Sequence, residues 1–188
     1  MESERVFIVG DIHGCLEMLK RLMDKIDWHP DADRLIFLGD YIDRGENPKG
    51  VVDFILELSK LSQLVDCLIG NHEDIFLDFL INGDIQPFLA NGGLTTLESY
   101  RLDEMRYRKP VIPSDHMDFF QNLLPWIELE DHYVVHAGFR PEVEIEKQSI
   151  EDIIWIREPF IHSDYDFGKK VIFGQRSYLA IHLFPNLW

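Results

Sequence analysis

Three short apolar runs in the first half of the chain each stop at a glycine and hand over to polar residues: "VFIVGDIHG", "LIFLGDYIDRG" and "CLIGNHED". An apolar run this short, closed by turn formers, suits a strand buried on both faces better than a helix. Between the runs the apolar spacing becomes helical. Leu16, Leu19, Leu22, Met23 and Ile26 share one helix face after the first run. After the second, Val51, Val52, Ile55 and Leu58 share a face of a helix that starts at Pro48, where a missing N–H costs nothing. The third run, residues 64–69, leads into a helix over about 73–80. Strand–helix alternation at this spacing predicts an α/β fold with a largely parallel sheet, its buried strands at 6–9, 35–38 and 64–69.

The rest of the chain is less regular. "NGDIQPFLANGGLTTLESYR" is rich in turn formers and reads as a short helical excursion broken by Pro87 and by Asn91-Gly92-Gly93. Residues 117–124 carry another helical pattern. In "WIELEDHYVVHAG", Ile127 and Leu129 alternate with acids and a turn falls near Glu130 and Asp131, so 133–135 become the return strand of a hairpin. Residues 149–156 read as a helix capped by Ser149 with Glu151 and Asp152 in its first turn, and 171–173 as a last strand. With no repeat and no low-complexity linker, the 188 residues are expected to form a single domain, 1–188.

The formal charge of −16, from 34 acidic against 18 basic residues, argues against nonspecific binding to nucleic acid or anionic membranes. No apolar stretch approaches the ~18 residues of a membrane span and no leader pattern opens the chain, so a cytoplasmic setting is expected. Cys15 and Cys67 form no disulfide framework and are expected to be buried thiols. If so acidic a chain acts on phosphates, it must create positive potential locally, and metal ions are the obvious source.

In open α/β sheets, ligands bind beyond the carboxyl ends of the strands. The loops there supply Asp11 and His13, then Asp40, Asp43 and Arg44, then Asn71 and His72, and finally His136. This donor mix suits Mn, Fe or Zn, and a shared carboxylate can hold two ions ~3.5–4 Å apart. Taken singly, each loop has an ordinary explanation. "GDIHG" could be a strand-to-helix turn with Asp11 as a cap, and "GDYIDRG" a surface turn with an Asp–Arg ion pair. "GNHE" could be a plain helix start, and "HAG" alone carries nothing. Their order, each after an apolar strand, is what points to a site.

The series "GDIHG", "GDYIDRG", "GNHE", "HAG" resembles the metallophosphoesterases, in particular the phosphoprotein phosphatase branch and its small bacterial and bacteriophage lambda type serine/threonine phosphatases. Symmetrical diadenosine tetraphosphate hydrolases share these motifs. "FLANGGLTTLESY" and "IIWIREPF" also look like the small bacterial members. The resemblance implies an αββα sandwich of two mixed sheets flanked by helices, with a dinuclear metal centre at one edge. It implies that Asp11, His13 and a bridging Asp40 hold one divalent ion, Mn before Fe or Zn, and that Asp40, Asn71 and His136 hold another. It further implies that His72 is the general acid, that Asp43 orients it, and that Arg44 and Arg157 grip phosphate. The activity implied is hydrolysis of phosphoserine, phosphothreonine and aryl phosphates by direct attack of a metal-bridging hydroxide. The substrate would be a phosphorylated protein or a small phosphoester. The alternatives are a symmetrical diadenosine tetraphosphate hydrolase or an impaired phosphate-binding module.

Two departures from that pattern stand out. The family's last strand ends in Gly-His, and Gln175 holds the position of that sixth ligand here, a weaker donor expected to cost at least ~10–100-fold in affinity or activity. Ile69 replaces an arginine found in some relatives. From Val171 onward there is no Asp or Glu, so residues 175–188 are expected to be an aberrant tail, with C-terminal strands of the fold missing. A genuine short tail that fills the vacated groove with Leu179, Ile181, Leu183 and Phe184 is the other reading. His29, His116, His132, His162 and His182 are assigned surface or packing roles. The acidic stretch 142–146 is read as a solvated loop, and Phe119, Phe120 and Trp126 as core.

Overall fold

The computed structural model describes residues 5–101 and 112–174, so Gln175, the tail and His182 lie outside the described residues. In chain order the elements are β1 (Val6–Val9), α1 (Leu16–Met23), β2 (Arg34–Phe37), α2 (Pro48–Leu61), β3 (Val65–Cys67), α3 (Asn71–Asn82), α4 (Ile85–Ala90) and α5 (Leu94–Ser99). They continue with α6 (Ser114–Gln121), β4 (Trp126–Glu128), β5 (His132–Val135), a 3-10 turn (Ile145–Lys147), α7 (Ile150–Trp155), α8 (Glu158–Ile161) and β6 (Lys170–Phe173).

Two three-stranded sheets result. The first, β1-β2-β3, is parallel throughout; the second, β4-β5-β6, is antiparallel at β4–β5 and parallel at β5–β6. The two-residue period of a strand sorts side chains between layers. Leu35 and Phe37 of β2 pack with the helices α1 to α6. Ile36 and Leu38 turn the other way, against Ile127 of β4 and Val134 of β5. On the far face of the second sheet, Tyr133, Val135, Val171 and Phe173 meet Ile153 and Ile154 of α7. Helices, sheet, sheet and helices therefore stack in the αββα order. Ile36, Phe37 and Val134 are fully buried, and burying each contributes roughly 1.5–3 kcal/mol.

Several local expectations change. Pro87 does not break α4, because it falls in the first turn after Asp84, whose side chain accepts from Gln86 N. Residues 91–93 do separate α4 from α5. The pattern at 117–124 starts earlier, at Ser114, and ends at Gln121. Leu124 is instead drawn to the first sheet: its N–H donates to Cys67 O at 2.9 Å and its carbonyl accepts from Ile69 N at 2.9 Å. Ile145, in the acidic stretch read as a solvated loop, is buried under the second sheet while its acidic neighbours stay exposed. Cys15 and Cys67 are half-buried and free, and burial pushes the Cys67 thiol to about 12, which makes it inert. Among the described residues no helix is long and apolar enough to cross a membrane.

Candidate metal centre

The carboxyl ends of β1, β2, β3 and β5 open onto one place. His13, two residues after Asp11, has φ 45° and its Nδ1 faces Ile42 O at 3.1 Å. A carbonyl accepts only, so Nδ1 carries the proton and the Nε2 lone pair points away, 3.5 Å from an Asp40 oxygen. His136 repeats this arrangement from the second sheet. Its Nδ1 donates to Leu38 O at 2.8 Å, and its Nε2 lies 3.2 Å from Asn71 Oδ1 and 3.6 Å from Asp40 Oδ1. Carbonyls holding the far nitrogens of two imidazoles are the arrangement that readies histidines as metal ligands. Burial lowers the His13 pKa, which favours the neutral, ligating form.

Asp40 sits between them, buried, with φ 53°. Two glycines let it in: a Cβ on Gly70 would lie 2.3 Å from Asp40 Oδ1, and one on Gly39 (φ +109°) would lie 2.6 Å from Gly70 N. His13, Asp40 and His72 each present a ligand atom within 4.8 Å of the others. With His136 and the Asn71 carbonyl oxygen, this is a nitrogen and oxygen donor set fit for divalent transition metals. Asp11 enters from β1, exposed, on the side where β6 ends: a Cβ on Gly174 would sit 3.1 Å from Asp11 Oδ1.

The second residue of α3, His72, lies at 1% exposure with its Nδ1 2.6 Å from Asp43 Oδ2. Its Nε2 accepts from one Arg44 nitrogen at 2.9 Å, and His13 Nε2 accepts from the other at 2.9 Å. The two rings meet edge to face at 4.7 Å. A guanidinium spanning two imidazole lone pairs shows that this cluster accepts positive charge. Arg157 lies farther along the chain, exposed at the start of α8, whose Phe160 covers Gly138 just beyond His136. The structure thus brings His13, Asp40, Asp43, Arg44, Asn71, His72 and His136 into one network of contacts. It places Asp11 at that network's β6 side and Arg157 on α8.

Two residues of this network escape sequence reasoning. Glu73, fully buried, accepts from the N–H groups of Asp40 (2.8 Å), Tyr41 (2.9 Å) and Gly70 (3.1 Å), and so ties the Asp40 loop to the start of α3. Burial and the nearby Asp40 carboxylate raise its pKa, and the backbone donors oppose that rise. Its signal was present in "GNHE", since a glutamate three residues after a helix cap closes a capping box. Thr96 of α5, also fully buried, bonds Asp43, and nothing in its spacing marks it. Of the histidines assigned to packing, His116 is buried between Tyr100 Oη (2.8 Å) and Asp53 (2.9 Å).

Comparison with known proteins follows the same lines. The profile of the calcineurin-like phosphoesterase family matches residues 4–179. Serine/threonine-protein phosphatase 1 of Salmonella typhimurium is 27% identical over 166 residues, covering 84% of this chain and 70% of that protein. The symmetrical bis(5'-nucleosyl)-tetraphosphatase of Erwinia tasmaniensis is 36% identical over 142 residues, covering 74% of this chain and 46% of that protein, so the chain spans about half of its length. A solved structure of a protein named only as a candidate diadenosine tetraphosphatase aligns at TM-score 0.68 and 22% identity, over 95% of this chain and 81% of that one, a likeness of fold.

Proposed function

Because the chain belongs to the calcineurin-like phosphoesterase family, whose members use a dinuclear divalent metal centre, we propose that it is a phosphomonoesterase of the serine/threonine phosphatase type. The observation that carries this reading is the convergence of half-buried His13 with buried Asp40 and His136 beside the buried Asp43–His72 pair. In our reading Asp11, His13 and Asp40 hold one ion and Asp40, Asn71 and His136 the other, with manganese the first choice and Gln175 at the sequence position of a missing sixth ligand. The whole chain, 1–188, is read as one cytoplasmic domain.

When bound, divalent cations supply Lewis acidity toward phosphate oxygens and acidify water to hydroxide near neutral pH. The chain's own residues do the rest. His72, protonated on both nitrogens, donates from Nε2 to the leaving-group oxygen as the P–O bond breaks, a role worth ~10²–10⁴-fold. Asp43 holds the Nδ1 proton and stabilises the imidazolium. An imidazolium cannot accept a hydrogen bond, so protonation of His72 frees the Arg44 nitrogen bonded to it for a phosphate oxygen. Use of the His13 lone pair as a ligand would free the other, leaving a planar fork suited to phosphate. Arg157 adds a cation from the α8 side.

The serine/threonine phosphatase relative aligns with 84% of the chain, and this supports a phosphorylated protein or small phosphoester as substrate. The higher identity to the tetraphosphatase, 36%, supports a second reading, hydrolysis of symmetrical dinucleoside tetraphosphates with the same groups. Manganese-loaded protein assayed in parallel on a phosphoserine peptide, an aryl phosphate and diadenosine tetraphosphate separates the two. Turnover of the first two and not the third is expected. The reverse pattern installs the second reading, and no turnover with two metals bound defeats both.

A further inference from the structure

The stretch "FLANGGLTTLESY" has no part in the chemistry described so far, yet it bonds the active-site loop and the start of α2 at three residues. Gly92 O, just before α5, accepts from Arg44 N at 3.1 Å, and Ser99 Oγ accepts from Lys49 N at 3.0 Å. Between them Thr96 Oγ1 donates to Asp43 Oδ1 at 2.6 Å and accepts from Asp43 N at 2.9 Å. One hydroxyl thus bonds both the main chain and the carboxylate of the same residue, in a ring that fixes the Asp43 side chain relative to its backbone. That backbone is in the left-handed region, φ 68°, where an aspartate needs support. Asp43 and Thr96 are both fully buried, so bulk water offers no substitute for the hydroxyl.

We propose that Thr96 is a positioning residue that completes a Thr96–Asp43–His72 relay and sets the aim of the His72 proton. This rests on the reading of His72 as the general acid. The carboxylate has two oxygens with separate tasks. Oδ2 accepts the His72 Nδ1–H hydrogen bond at 2.6 Å, and Oδ1 is held by Thr96. Without the hydroxyl, Oδ1 and the Asp43 N–H are left buried and unpaired. The carboxylate is then free to rotate, and His72 Nε2 swings with it. Chemistry that needs the proton suffers, while substrate binding and the metal ligands do not.

The test uses Thr96→Val, which keeps the shape and removes the hydroxyl, and Thr96→Ser, which returns it. In manganese-loaded protein, kcat of Thr96→Val is expected to fall about tenfold on an alkyl phosphate, whose leaving group needs protonation, and less than about twofold on p-nitrophenyl phosphate. KM and metal content stay as in the parent, and Thr96→Ser recovers most of the loss. An equal fall on both substrates, or no recovery with serine, overturns the proposal. His72→Asn run alongside keeps the two readings apart, because a fall independent of leaving group there defeats the general-acid role itself. The downfield NMR resonance of His72 Nδ1–H then judges Thr96 directly. Broadening or displacement of that resonance, in Thr96→Val or in Thr96→Ala should the valine variant not fold, is expected, and an unmoved resonance overturns the proposal.

Discussion

Asp33 and Asp40 stand at opposite ends of the β1–β2–β3 sheet and are equally buried, each 2% exposed. Asp33 is satisfied by cations and donors. Arg5 grips it with two nitrogens at 2.8 and 2.7 Å, and His29 N donates at 2.6 Å, so its carboxyl is held at about 2. Arg34 and Asp66 add an ion pair at 2.7 Å at the same end. Asp40 accepts a single, longer bond, from His72 N at 3.3 Å, and otherwise has two imidazole nitrogens and the carboxylate of Glu73 for company. One end of the sheet uses buried charge to hold strands together. The other gathers negative charge that only a cation can neutralise, at a cost to the fold without one.

Removing charge should therefore have opposite effects at the two ends. The largest effect is expected for Asp40→Asn: metal content and phosphatase activity fall by at least about 100-fold. The metal-free protein should nevertheless melt a few degrees higher, since a carboxylate is lost beside Glu73. A lower Tm for that metal-free variant breaks the comparison. Next comes Glu73→Gln, whose amide NH2 would face the backbone donors of Asp40, Tyr41 and Gly70. A loss of about 1–3 kcal/mol, read by denaturant melts without metal, is expected together with weaker metal binding. Opposite signs for these two neighbours would separate a ligand from a support.

The smallest effect is expected for Asp33→Asn, and its pH dependence carries the information. The Asp33 pKa is lower when folded than unfolded, so its contribution to stability is present above about 3.8 and is lost as pH falls toward about 2. The variant should melt a few degrees below the parent at pH 7, with the gap closing across that window and the activity of folded protein unchanged. A gap that persists at pH 2 would mean that shape, and not charge, is what Asp33 contributes.

Much of this was legible in the sequence because strands and their terminal loops announce themselves locally. The runs ending at Gly10, Gly39 and Gly70 became β1, β2 and β3, and the loops after them converge as read. Boundaries set by distant partners were not legible. Leu124 keeps helical spacing with 117–120 yet leaves α6, because the exposed edge of the first sheet captures its backbone at Cys67 and Ile69. Pro87 looked like a breaker only while its place in a first turn was unknown. Within the site, ligand-type residues stood out by kind and order. Thr96 did not, because a threonine 53 positions from Asp43 acquires meaning only when α5 folds over the loop.

His13, Asp40, Asp43 and Arg44 share one further trait: all four are L-residues held at φ between 45° and 68°. Each such conformation costs roughly 1–2 kcal/mol that a glycine would not incur. A program of stabilisation guided by backbone comfort alone would therefore rank these four positions among its best targets for glycine, and would erase the site one improvement at a time.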